Sequence, residues 1–263
     1  MVDMKTKKQI KSEYKSALAL AKGRFVSECV EAEEIYKREL SKLYESEGKP
    51  APKDPPKRSL LEEVGNSVTH GLGSIFAIVA LILMLISAET VEEYISAAVY
   101  FAGLFCMFTM SCLYHAFAHG SAVKRLFRRF DYSGIYLLIG ATFAPVLICY
   151  FNNMFGWIFF AIQWAVIAAG ITFVAVFGPT RLRFIHIPLY VILGWSALML
   201  LPFMIMGGAF EMAMWILAGG VIYTVGIIPF ALKSKASHFI WHFFVLAGAV
   251  VQWIGIYTYI YLP

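Results

Sequence analysis

His238 and His242, in the stretch His238-Phe239-Ile240-Trp241-His242, are the side chains of this chain best placed for metal chemistry. Four residues apart on a helix, they share one face about one turn, or ~6 Å, apart, so both imidazoles can address one point. The pair is a metal-ligand spacing but an incomplete site, because a catalytic zinc ion takes three protein ligands and keeps a fourth position open. His115 and His119 also stand four apart, and His70 and His186 are the remaining histidines. Spacing alone therefore leaves the third ligand open. The answer depends on which elements bring which side chains to a common depth.

Those elements follow from composition. The chain has 263 residues, 60% of them hydrophobic, and a mean hydropathy of +0.70, well outside the range of soluble globular domains. From Val68 onward, long apolar runs follow one another with short breaks, which predicts an all-α fold, a seven-transmembrane helical bundle. The spans are placed near 68–88, 94–117, 131–151, 155–177, 185–206, 210–231 and 238–261. Before them, Ile10, Tyr14, Leu18, Ala21, Phe25, Cys29, Ala32, Tyr36, Leu40 and Leu43 recur at spacings of three or four and predict an amphipathic helix. Gly48 to Pro56 is too rich in proline to continue it. The division expected is 1–58, a cytosolic amphipathic helix plus Pro-rich linker, and 59–263, a seven-span membrane domain. A solvated arm is the plain reading of the first helix; self-association, a cytosolic partner or an anionic membrane surface are the alternatives. Cys29, Cys106, Cys112 and Cys149 lack paired spacing and read as structural thiols, and no signal peptide is read at the N-terminus.

Charge sets the orientation. Of 22 Lys and Arg, 14 fall in the first 60 residues and eight in the second, fourth and sixth loops, so the net charge of +5 belongs to one membrane face and implies no nucleic acid. The positive-inside rule makes that face cytosolic, placing the N-terminus inside the cell membrane and the C-terminus outside. Tyr257, Tyr259 and Tyr261 fit an outer interfacial aromatic belt.

This topology gives every notable polar residue a depth. His70 falls in the first turn of span one, His115 in the last turns of span two, Asp131 at the start of span three, and His238 and His242 at the start of span seven. All lie at the cytosolic end, where an unpaired charge is costly. Asp131 suits capping of span three as well as a site role. His119 lies a turn nearer the basic loop and His186 starts span five beside Arg183; both read as interfacial histidines. Ser111 lies one turn before His115 on the same face.

Four stretches carry a resemblance: Leu61 to Gly71, Ser111-Cys112-Leu113-Tyr114-His115, Phe130-Asp131-Tyr132-Ser133-Gly134-Ile135-Tyr136, and His238 to Val245. In order across residues 60 to 263 they resemble the hemolysin III family, the bacterial branch of the progestin and adipoQ receptors, in a wider group with alkaline ceramidases. The resemblance implies zinc held by His115, His238 and His242, with Ser111 and Asp131 close by. Glu62, Asn66 and His70 form an i, i+4, i+8 face of the first span and are read as supporting residues.

The function expected is metal-dependent hydrolysis of a lipid amide or ester, with membrane lipid entering from the cytosolic leaflet. Three neutral histidines leave a zinc ion's charge uncancelled, which eases ionisation of water and polarises a carbonyl. Asp131 would orient or deprotonate the water and Ser111 would hydrogen-bond the ligand or oxyanion. Two other readings stand beside it: a membrane-perturbing, pore-forming hemolysin with structural zinc, and a seven-span receptor or membrane-stress regulator. Residues 1–58 are longer than the arm expected of bacterial members, and the resemblance does not explain them.

Overall fold

The computed structural model describes residues 7–46, 55–232 and 236–262. They fall into two compact units, Met1–Asp54 and Pro55–Pro263. The first contains a single helix, α1 (Lys7–Ser46). The second is built from α2 (Leu60–Ser87), α3 (Val91–Ala116), α4 (Ala122–Pro145), α5 (Met154–Phe177), α6 (Arg183–Trp195), α7 (Ala197–Met206), α8 (Phe210–Leu232) and α9 (Ser237–Ile256). Single π-helical segments extend α4 over Val146–Tyr150 and α9 over Tyr257–Tyr261. With α6 and α7 joined end to end across a break at Ser196, seven helices among the described residues are long and apolar enough to cross a membrane.

Several helices begin earlier than hydropathy places them. Ser59 caps α2 by accepting the Glu62 N–H, Ser121 caps α4 by accepting the Lys124 N–H, and Thr90 with Glu93 forms a capping box on α3. These caps set the helix ends in the polar flanks, beyond the apolar runs. The second loop therefore shrinks, and Lys124, Arg125, Arg128 and Arg129, expected in it, lie on α4. Asp131 is not at the start of that helix but nine residues in, ~14 Å along its axis, too deep to cap it.

The site helices pack through small residues. A side chain at Gly103 on α3 would collide with Ala141 of α4, and a Cβ at Gly134 on α4 would lie 2.9 Å from the Met107 Cα of α3. That close approach carries the C-terminal end of α3 alongside the first half of α4. The tyrosines at the opposite end do not form the expected belt. Tyr261 is buried and donates to the Glu93 carbonyl at 2.9 Å, and Tyr257 meets Ser87 at 3.0 Å, while Tyr259 is 40% exposed. Residues two apart on a helix point to different sides, so the three rings cannot share one face.

Candidate metal centre

The C-terminal end of α3 presents His115, and the first turns of α9 present His238 and His242. One nitrogen from each ring lies within 4.8 Å of the other two. His238 Nε2 stands 3.2 Å from His115 Nε2 and 3.2 Å from His242 Nε2. Three imidazoles on one tetrahedral zinc ion would hold their nitrogens about 3.4 Å apart, from a Zn–N length of ~2.0–2.1 Å. The backbone helps aim the pair on α9: Ala236 adopts left-handed φ of 62°, and the helix starts at once with Ser237.

Hydrogen bonding on the far side of two rings assigns their tautomers. His115 Nδ1 lies 2.5 Å from Glu63 Oε2, so Nδ1–H donates to the carboxylate and Nε2 keeps its lone pair. His242 Nδ1–H donates to the Asn66 carbonyl at 3.2 Å, again freeing Nε2. Two lone pairs thus converge beside the third nitrogen, an arrangement that a cation satisfies. Carboxylate and carbonyl partners of this kind fix ring orientation at metal sites.

Glu63 is itself held. Lys124, only 1% exposed, sets its Nζ 3.0 Å from Glu63 Oε1 and donates to the carbonyls of Tyr114 and Phe117, each at 3.0 Å. The Glu63 contact is an ion pair, while the Tyr114 carbonyl, left open in the last turn of α3, and the Phe117 carbonyl just past its end accept hydrogen bonds from the ammonium. One ammonium therefore ties the end of the helix bearing His115 to the carboxylate that orients His115.

The other expected residues are distributed around this core. His70 is buried and stacks on His242, with ring centroids 3.6 Å apart and planes 15° apart, and neither of its nitrogens has a hydrogen-bond partner. The Asn66 side-chain amide approaches His115 Nδ1 at 3.3 Å. Glu62 has its backbone N–H in the cap, and its neighbour Glu63 provides the carboxylate at the site. Asp131 is buried, with His115, the Ser111 hydroxyl, Arg58 and Arg128 as its polar neighbours. Ser111 is fully buried, with its hydroxyl beside the Asp131 carboxylate. His119 stands apart from the ligand group and donates through Nε2 to the Pro55 carbonyl at 3.0 Å. His186 is not interfacial: it is fully buried, with Nδ1 2.9 Å from the Tyr136 hydroxyl.

Glu63 and Lys124 are what sequence reasoning missed, and helical spacing contained both. Glu63, Asn66 and His70 are i, i+3, i+7 on α2; Lys124, Arg128 and Asp131 are i, i+4, i+7 on α4. All three of the α4 residues are buried.

Below the histidines an apolar cavity opens, with about 1190 Å³ of empty volume including its open side. It begins one turn inward of Ser111 on α3, of Asp131 on α4 and of the histidine pair on α9. Met107 is one turn from Ser111, Ile135 one turn from Asp131, and Trp241 and Val245 one turn from His238 and His242. Side chains of α6, α7 and α8 complete the walls, among them Tyr190, Leu200 and Tyr223.

Known proteins show the same arrangement of sequence. A family model described as Haemolysin-III related matches residues 58–253. The chain is 34% identical over 206 residues to "Hemolysin-3" of Bacillus cereus, covering 76% of this chain and 92% of that protein. It is 29% identical over 218 residues to the human "Monocyte to macrophage differentiation factor", covering 78% and 87%. With the Drosophila melanogaster "Adiponectin receptor protein" it shares 27% identity over 221 residues, 74% of this chain and 50% of the other. Seven apolar helices, a three-histidine cluster and a match across three quarters of its length place this chain, a multi-pass membrane protein, in the haemolysin-III-related family.

Proposed function

We propose that the protein is a zinc-dependent hydrolase of a lipid amide or ester, with its site at the basic, cytosolic end of the bundle. The observation that carries this reading is the junction of two features: three convergent imidazole nitrogens, and an apolar cavity that starts one helical turn inward of His238 and His242 on α9 and about two turns inward of His115 on α3. A lipid with its carbonyl at the histidines would lay an acyl chain in that cavity, the usual division of a site into a few polar groups and an apolar body. Zinc held by three neutral histidines supplies Lewis acidity, which polarises a carbonyl and eases the ionisation of water.

The protein's own groups do the rest. Glu63 and the Asn66 carbonyl keep His115 and His242 in the tautomer that faces inward. Asp131 accepts a proton from water on the site side of α4 and returns it to the leaving amine or alcohol. Ser111, buried beside Asp131, donates to the carbonyl oxygen as negative charge develops there. His70 packs flat on His242 and closes the site toward α2.

The test is purified protein loaded with zinc, assayed for fatty-acid release from a panel of ceramides, acyl-glycerols and phospholipids, beside His238→Ala/His242→Ala. Release by wild type that disappears with the metal in the double variant is expected. Zinc bound stoichiometrically with every lipid intact would overturn hydrolysis and make the ion a clamp between α3 and α9.

A further inference from the structure

The helix α1 carries none of the site residues named above, and its apolar stripe has a stricter order than amphipathicity requires. Tyr14, Phe25 and Tyr36 recur every eleven residues, and so do Leu18, Cys29 and Leu40, four places behind them. An eleven-residue repeat completes three turns at 3.67 residues per turn, so the stripe stays on one face of an almost straight helix, as in coiled coils of that period. Over its 40 residues α1 runs for ~60 Å. Tyr14 is 65% exposed and Phe25 68% exposed. Helices of this kind draw most of their stability from burying such a face.

Two further features identify what covers it. Residues 7–24 carry six bases and one acid, whereas residues 25–46 carry six acids and three bases. The helix is therefore complementary in charge to a copy of itself turned end for end. The same reversal is complementary in size. With the twofold axis at residue 27, Phe25 of one copy faces Cys29 of the other, Tyr14 faces Leu40, and Leu18 faces Tyr36. Each aromatic ring then meets a smaller side chain, which is how facing layers interdigitate. A parallel pair in register would stack each ring on its own copy and bring like-charged halves together.

We propose that α1 is a dimerisation helix that pairs antiparallel with α1 of a second copy of this chain. The interface is isologous, so it closes at two chains and leaves no open end for further growth.

Cross-linking of the full-length protein in liposomes tests this directly. Two differently tagged chains, Tyr14→Cys/Cys29→Ser and Leu40→Cys/Cys29→Ser, are co-expressed and oxidised mildly. The expected result is a disulfide-linked heterodimer carrying both tags, with each chain expressed alone giving at most a tenth of that yield. Adding Phe25→Glu to both chains should lower the yield by at least tenfold, since it sets an unpaired charge in the apolar seam. Cross-linking of each chain to itself would overturn the antiparallel pairing. Absence of any cross-link would overturn dimerisation through α1, whether the helix then proves to lie on the lipid surface or to bind another protein.

Discussion

Glu63 Oε2 lies 2.5 Å from His115 Nδ1, so the third histidine is aimed from α2, a helix that contributes no histidine to the cluster. Loss of that carboxylate frees the ring to rotate and removes the acceptor that holds the proton on Nδ1. Glu63→Gln should weaken zinc binding about 10- to 100-fold, the usual effect of removing such a partner. Competition against a chromophoric chelator measures it. Glu62→Gln, one residue away on a different face, should bind zinc as wild type does; equal losses in the two variants would refute the assignment of the carboxylate.

Lys124 is the second support. Its removal leaves the largely buried Glu63 carboxylate without its ammonium and the Tyr114 and Phe117 carbonyls unsatisfied. Breaking a buried ion pair in this way costs about 3–5 kcal/mol. Lys124→Met should therefore lower the thermal midpoint in detergent markedly. The double variant Lys124→Met/Glu63→Gln should recover part of the loss, because neutralising both partners removes the uncompensated charge. Additive losses would mean that the two side chains do not act as a pair.

What the sequence discloses follows the same line. Hydropathy reveals the seven helices because each must present about 20 apolar residues to a bilayer. The pairing of His238 with His242 is legible from spacing, and the end of the bundle that holds His115 and Asp131 from loop charge, though not that Asp131 lies nine residues into α4. Lys124 and Glu63 are not, because hydropathy ends a helix where charge begins and sends every base to solvent. Here Ser59 and Ser121 carry α2 and α4 past that point, and in the added turns Lys124 and Arg128 are buried and Glu63 turns to His115, while Arg129 stays exposed. His186 escaped for a related reason: a histidine beside an arginine reads as interfacial, and only the packing of α4 on α6 reveals Tyr136 opposite it. The order within α1 was visible as spacings of three and four, but the eleven-residue period has meaning only along an uninterrupted helix of 40 residues.

Asp131 and Ser111 separate chemistry from metal binding. Neither belongs to the three-histidine group, so Asp131→Asn and Ser111→Ala should both retain zinc. Under the proposed roles, Asp131→Asn lowers kcat by about 10²–10⁴, the span of general acid–base catalysis. Ser111→Ala lowers it less, by about 10–100-fold, through loss of one donor to the developing oxyanion. Zinc content by mass spectrometry alongside fatty-acid release decides it. Full activity in Asp131→Asn would remove the carboxylate from the mechanism.

The cavity can be closed without touching the site. Gly194 and Gly220 both line it, and a Cβ added at either meets nothing within 4 Å, so the backbone there faces open space. Gly220→Leu fills volume that a long acyl chain would occupy, and in a helix leucine is favoured over glycine by up to ~1 kcal/mol. The variant should fold at least as well as wild type and bind zinc equally, since the centre lies on α3 and α9 and Gly220 on α8. Its effect belongs to KM and to chain length: release from long-chain substrates should fall about tenfold, corresponding to one to two buried methylene groups displaced, while short-chain substrates are processed as before. A uniform fall across chain lengths would place the acyl chain elsewhere, and the cavity would then owe its shape to packing alone.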